Sequence, residues 1–259
     1  MGESAKKWKN LSMKIPWVEK DTPLPAAHKA QPAESPLAGL VAAGDDLSVQ
    51  RLLEAYSQGM FPWFNDTQPV LWWSPDPRMV LEVKKFKLHR SLRKTLTAFQ
   101  SNSSCDLRID TAFERVIEQC ATSPRKGQPG TWIVPKMIEA YVALHRAGFA
   151  HSFETWVDQK LVGGLYCVSI GDAVFGESMF SKQSDASKIA LSGLVAFARS
   201  QNLAWIDCQQ NTPHLASMGA QEVPRLVFLQ WVENAAKQPT RHWQFCREDW
   251  SYVLGKFNQ

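Results

Sequence analysis

The sequence predicts an α/β chain, α+β in detail, in which a small N-terminal domain precedes a larger domain built on a mixed sheet. Three observations carry this. Residues 150–180 hold three apolar-rich runs, AHSFETWV, LVGGLYCVSI and AVFGESMF, separated by DQK and GD, so they read as an antiparallel meander. A helical run from about Ser184 to Ser200 then leads to another strand, LAWIDCQ. A strand–helix–strand crossover is right-handed and leaves its two strands parallel. Upstream, FPWFNDTQPVLWWSPDPRMVLEV is a series of short extended pieces cut by prolines, each of which restricts the residue before it.

Taken in order, residues 1–38 are rich in Pro, Ala and Lys and read as an extended lead-in. GDDLSVQRLLEAYSQG is a helix. Ser48 is its N-cap, Val49, Leu52, Leu53 and Tyr56 share a face, and Gly59 stops it. The small domain is placed at 39–86 and the larger one at 87–259. Leu88 to Phe99 forms a helix with Leu88, Leu92, Leu96 and Phe99 inward. LRID is a short strand. Thr111 and Glu114 form a capping box ahead of Phe113, Val116, Ile117 and Cys120. TWIVPKMIEAYVALHRAG is a helix with Pro135 in its first turn and Gly148 at its end.

Composition narrows the class. The 259 residues are 44% hydrophobic and 21% charged, as expected of a soluble globular protein. No apolar run reaches the roughly 18 residues of a membrane span. The basic start, MGESAKKWKNLSMK, lacks the apolar core of a secretory signal, so the cytoplasm is the expected location. Five widely spaced cysteines with no CxxC or HxxxH pattern indicate reduced thiols and no metal site. Net charge is only +4, but KKFKLHRSLRK, Lys84 to Lys94, holds six Lys or Arg residues and no acid. Such a block either neutralises phosphates or is a solvated helix face. There are eleven tryptophans, with Trp63, Trp72 and Trp73 close together.

The polar residues that stand out lie where the sheet changes from antiparallel to parallel, and ligands bind at such seams. Glu177 sits inside a strand, beside Gly176, Met179 and Phe180. It holds a polar network, binds an ammonium group, or caps the following helix. Asp207 and Gln209 flank Cys208 at the end of the next strand. Side chains two apart share a face, so the pair either braces the strand end or orients a reacting group. His145, His151 and His214 with Ser178 and Asp207 would suit a hydrolase, but no GxSxG elbow supports it. Cys208 alternates to the other face and reads as a core thiol.

The runs GLVAAGDDLS, LLEAYSQGMFPWF, WWSPDPR, HRSLRKTL, TWI, AYVALHRAGFAHSFETW, LVGGLYCV, GESMFS, ASK, IDCQ and HLASMGA occur in this order from Gly39 to Ala220. Together they make the chain similar to the bacterial leucyl/phenylalanyl-tRNA–protein transferases. It departs from the family pattern at Cys167, where glycine is expected, at Lys182, where arginine is usual, and in GDD, where GGD is commoner. None of these removes an expected site residue.

The resemblance implies a larger domain like the acetyl-CoA-dependent N-acetyltransferases. Yet SKQSDASK has no glycine where those enzymes cradle a pyrophosphate, so acetyl-CoA is not the expected donor. The implied reaction moves Leu or Phe, with Met a further candidate, from aminoacyl-tRNA to the N-terminal Arg or Lys of a protein and marks it for degradation. The ester is already activated, so neither cofactor nor metal is needed. The nucleophile is an α-amine of pKa about 7.7–8.0, so the enzyme must orient it, relay its proton and stabilise an oxyanion. By resemblance Asp207, Gln209 and Glu177 are the catalytic set. Leu165, Met179, Leu194 and Ile206 are expected to form the amino-acid pocket. Trp73 and Trp132 are expected to stack on the terminal adenosine, and Lys84, Arg90, Arg93 and Lys94 to meet tRNA phosphates. Candidates for holding the acceptor's basic side chain are Asp207, Glu177 and Glu154. A monomer with no membrane partner is expected. The rival readings are an acyltransferase of this fold with another donor, and a tRNA-binding protein without enzymatic activity.

Overall fold

The structure, a computed structural model, describes residues 15–123 and 133–255. Two sheets organise them. The first has four strands in the order β1-β2-β4-β3: β1 Trp17–Val18, β2 Leu40–Gly44, β3 Phe61–Pro62 and β4 Val70–Trp73. Helix α1, Val49–Ser57, joins β2 to β3, and the Ser48 hydroxyl caps it by accepting the Arg51 N–H at 3.3 Å.

The second sheet has seven strands in the order β11-β5-β10-β9-β8-β7-β6. Its members are β5 Arg78–Glu82, β6 Cys105–Ile109, β7 Ala150–Val157, β8 Lys160–Ile170, β9 Ala173–Ser181, β10 Trp205–Gln209 and β11 Gln221–Val223. Strand β5 therefore belongs to this larger sheet, although its residues fall within the 39–86 stretch. The expected meander is β7-β8-β9, and β10 pairs parallel to β9. The sheet is thus mixed, as the sequence predicts.

The helices are α2 Arg90–Ser101, α3 Phe113–Thr122, α4 Pro135–Arg146, α5 Ala186–Ser200, α6 Pro213–Ser217, α7 Arg225–Ala236 and α8 Ser251–Leu254. They cover the two faces of the sheet. Leu92 and Leu96 of α2 and Leu194 of α5 share one core cluster with Leu165 and Ile206. Tyr56 of α1, Val116 of α3, Tyr141 of α4 and Phe228 of α7 share the other with Tyr166 and Phe175.

One local expectation fails. No side chain caps α3 in the manner of a Thr111–Glu114 box. Instead the carboxylate of Glu154, fully buried on β7, accepts the Ala112 N–H at 2.7 Å and the Thr111 hydroxyl. Its other donors are Ser152 at 2.8 Å and the Trp156 indole at 3.0 Å. A buried carboxylate needs donors, and the free amides of a helix start supply one. Glu114 pairs outward with Arg146 at 2.7 Å.

Candidate active site

The site begins where two parallel strands part. Strand β10 is in register with β9 only at Ile206–Val174 and Asp207–Phe175. Beyond these pairs β9 continues to Ser181 and β10 ends at Gln209. Gly176 stands at the parting, where a Cβ would lie 3.2 Å from the Asp207 carbonyl oxygen.

Each strand carries a bulge beside the parting. On β9 the register against β8 slips between Ser178, opposite Tyr166, and Gly176, opposite Cys167, so Glu177 is the extra residue. On β10 the register against β5 slips between Asp207, opposite Val80, and Gln209, opposite Met79, so Cys208 is the extra residue. Bulges re-aim side chains and are common beside active sites. Gln209 also has φ +61°. The expectation that Asp207 and Gln209 act side by side from one face is therefore corrected, because the bulge breaks the alternation between them.

Instead Gln209 crosses the gap, and its Nε2 donates to Glu177 Oε1 at 2.9 Å. The Tyr141 hydroxyl donates to Glu177 Oε2 at 3.2 Å, and the Tyr56 and Tyr141 hydroxyls are 2.5 Å apart. Glu177 is 8% exposed. Burial pushes its carboxyl up to about 7. The hydrogen bond from Tyr56 opposes this, the charge of Asp207 adds to it, and the bonds from Gln209 and Tyr141 oppose it.

Asp207 turns away from this network. It is fully buried, as is Arg78. Arg78 Nε donates to Asp207 Oδ1 at 2.8 Å and Nη2 donates to Oδ2 at 2.6 Å. Asp207 Oδ1 also accepts the Gln209 backbone N–H at 2.9 Å.

A cavity of about 430 Å3 opens over this seam. Glu177, Asp207 and Gln209 border it, and the four expected pocket residues, Leu165, Met179, Leu194 and Ile206, all line it. Leu191 of α5 and Leu215 of α6 extend the apolar lining, and Phe61 and Trp63 contribute from the smaller sheet's side. The apolar end and the polar seam are thus parts of one space.

Other expectations divide. Trp73 is not in the lining. Its indole N–H donates to the Trp63 carbonyl at 2.8 Å and its ring packs against that of Trp63, so Trp73 supports the tryptophan that does line the cavity. Trp132 lies outside the described residues. Lys84, Arg90, Arg93 and Lys94 are all exposed, and Arg93 also donates to the Leu254 carbonyl at 2.6 Å. Glu154 is committed to the α3 start and cannot also receive a basic side chain.

The hydrolase reading gains nothing. His145 and His151 are absent from the lining and stack on Phe113 and Trp243. His214 and Ser178 do border the cavity, but both Asp207 oxygens are held by Arg78. Cys208 borders it too, because the bulge moves it off the regular alternation. Burial, and then the charge of Asp207, push its thiol up to about 12, so it is no nucleophile near neutral pH.

Arg78, Tyr56, Tyr141 and Trp63 were not singled out for the site by the sequence. The first three are buried residues whose partners lie far along the chain. Only Trp63, in a cluster of aromatics, gave a local signal.

The connection from β9 to α5 does not suit acetyl-CoA. At the helix start the Asp185 carboxylate pairs with Lys188 Nζ at 2.7 Å, and the Ser187 N–H is taken by the Ser181 hydroxyl at 3.3 Å. A pyrophosphate would need free N–H groups there, and one of the amides at this helix start is already taken. Among the described residues no cluster of His, Cys, Asp and Glu is arranged to hold a metal, and no helix is long and apolar enough to cross a membrane.

Comparison with known proteins identifies the family. Residues 80–233 match the family described as leucyl/phenylalanyl-tRNA protein transferase, and residues 45–76 match its N-terminal domain. The leucyl/phenylalanyl-tRNA–protein transferase of Polaromonas sp. strain JS666 is 55% identical over 94% of this chain and 96% of its own length. That of Albidiferax ferrireducens is 53% identical, over 93% and 94%. That of Methylibium petroleiphilum is 56% identical, over 90% and 88%. With both family models matched and more than half of the aligned residues identical in each relative, the chain belongs to the leucyl/phenylalanyl-tRNA protein transferase family.

Proposed function

We infer that the cavity at the β9–β10 seam is where Leu or Phe passes from the 3′ end of its tRNA to the α-amine of a protein beginning with Arg or Lys. The enzyme is an aminoacyltransferase, and its product is a new peptide bond at the acceptor's N-terminus. The observation that carries the reading is the Gln209–Glu177 contact at 2.9 Å, bordering a largely apolar cavity of about 430 Å3.

The amino-acid side chain enters among Leu165, Met179, Leu194 and Ile206. A flexible thioether from Met179 adapts the wall to both Leu and Phe. The terminal adenosine lies towards Phe61 and Trp63, with Trp63 the stacking surface that Trp73 supports. The basic residues of the segment Lys84 to Lys94 take acceptor-stem phosphates.

In the reaction the neutral amine attacks the ester carbonyl. The C–N bond forms, the C–O bond to the ribose breaks, the amine loses a proton and the ribose oxygen gains one. With Nε2 committed to Glu177, the Gln209 carbonyl oxygen is the acceptor left for the incoming N–H. Glu177, whose carboxyl titrates near neutral pH, holds that amide in place and can take up the proton. A cytoplasmic location follows from the tRNA donor.

The test mixes the protein with labelled Phe-tRNA and a peptide beginning with Arg, without metal or nucleotide. Transfer of label to the peptide supports the reading. Transfer from acetyl-CoA but not from tRNA, or tRNA binding without transfer, overturns it.

A further inference from the structure

The most heavily built feature around the seam is one that no step above uses. Arg78 opens β5 and is fully buried, and it contacts four residues at once. Its fork is bidentate on Asp207 at 2.8 and 2.6 Å. Its Nη1 donates to the Gly59 carbonyl at 3.3 Å, just before β3. Its guanidinium stacks on Phe61 of β3 at 4.9 Å and on Phe228 of α7 at 4.5 Å. Through Asp207 Oδ1 the chain of contacts continues to the Gln209 N–H at 2.9 Å.

These contacts join the two walls of the cavity. Phe61 and Trp63 form the wall from the smaller sheet, and Gln209 and Glu177 form the seam of the larger one. Arg78 is bonded or stacked to both sides. A planar, permanently charged fork can do this, and an ammonium cannot, because it has no plane to stack and no paired donors for a carboxylate. The Gln209 backbone, at φ +61° just past a bulge, gains from such an anchor.

We propose that Arg78 is a positioning residue for aminoacyl transfer, which fixes the Asp207–Gln209 turn against the Phe61–Trp63 wall so that nucleophile and ester meet at the correct separation. This rests on the function inferred above. Asp207 is then also a positioning residue. Its charge holds the Arg78 fork and the Gln209 N–H, and the atoms that face substrate are those of Gln209 and Glu177.

The test is a rate cycle on folded protein. Arg78→Lys, Asp207→Asn and the double variant are compared in single-turnover transfer at saturating Phe-tRNA and peptide, per folded molecule, with tRNA affinity measured separately. Misplacing a reacting group by about 1 Å can cost a hundredfold in rate. Arg78→Lys is expected to lose about that much while tRNA affinity stays within about twofold. Residues acting as a unit are non-additive, so the double variant should fall no further than about threefold below Asp207→Asn. A rate for Arg78→Lys within about threefold of the parent, or losses that multiply in the double, overturns the proposal.

Removing one partner of a buried pair strands the other charge and can prevent folding. If Arg78→Lys does not fold, Arg78→Met with Asp207→Asn removes both charges and is compared with Asp207→Asn alone. Equal rates support the proposal, and a further large loss overturns it. If the parent protein itself transfers no label, the functional reading has failed. If it transfers and Arg78 is without effect, only this inference has.

Discussion

Replacing Glu177 with Gln should change how stability depends on pH, and the size of the change follows from the site. Burial raises the native carboxyl from its ordinary 4.5 to about 7. Between those values the native state binds the proton and the unfolded chain does not. A raised pKa therefore gives stability that is fully present below 4.5 and is lost as pH rises through 7. One pH unit in that window corresponds to about 1.36 kcal/mol. Between about pH 5 and pH 8 the parent should lose about 2.5 kcal/mol relative to a chain without this group. Gln keeps the shape and one of the two acceptor oxygens and does not titrate, so the bond it loses costs the same at both pH values. Urea unfolding of both proteins at the two pH values isolates Glu177, because all other groups cancel in the difference. The variant's stability relative to the parent should increase by about 2.5 kcal/mol on going to the higher pH. A change below about 0.5 kcal/mol would show that Glu177 is already charged in the native state at pH 5, and that the Tyr56, Tyr141 and Gln209 hydrogen bonds outweigh its burial.

Three further perturbations test the substrate assignments. Trp63→Ala should weaken aminoacyl-tRNA binding by about 1–3 kcal/mol, read as a higher KM for Phe-tRNA, and Trp73→Phe should cost less because it removes only the indole donor to Trp63. Equal losses would place the adenosine elsewhere. Replacing Arg90 and Arg93 together should reduce the slope of log affinity against log salt by about 1 to 2. Arg90 should carry the larger share, since Arg93 is partly engaged with the Leu254 carbonyl. Met179→Ile puts a stiff, branched side chain in the pocket and should shift competition between Leu-tRNA and Phe-tRNA towards Leu, by less than about 3 kcal/mol.

The meander, the crossover and the parallel pair were legible because alternation, tight-turn residues and crossover handedness are local or nearly local rules. That Leu165, Met179, Leu194 and Ile206 would line one cavity was legible for the same reason, since they follow once the elements around the seam are identified. The bulges at Glu177 and Cys208 were not. A bulge adds one residue to a strand without changing its composition, so alternation counted along the chain misplaces whatever follows it. That is why Asp207 and Gln209 read as a side-by-side pair. Arg78 was hidden differently: its partner is 129 residues away, and the proline-rich SPDP run before it suggested only a turn. The Thr111–Glu114 box failed because a buried carboxylate from β7 competed successfully for the same helix start.

The bulges also explain why a carboxylate can stand inside a core strand. On β9, Phe175 belongs with Tyr166 of β8 to the core cluster on one face, and Met179 packs with Leu165 and Ile206 on the other. Residues 175 and 179 have the same parity, so an unbroken strand would place them on one face. The extra residue at Glu177 reverses the parity, which turns Met179 towards the cavity and leaves Glu177 at the crossing, within reach of Tyr141 on one side and Gln209 on the other. Deleting Glu177 would therefore remove only the carboxylate, because Ser178 and Met179 would keep their partners Tyr166 and Leu165 on β8. Straightening the strand with every residue retained would instead put Met179 on the Phe175 face and away from Leu165. The one-residue slip is thus what lets a carboxylate at the seam and a methionine beside Leu165 stand on the same short strand.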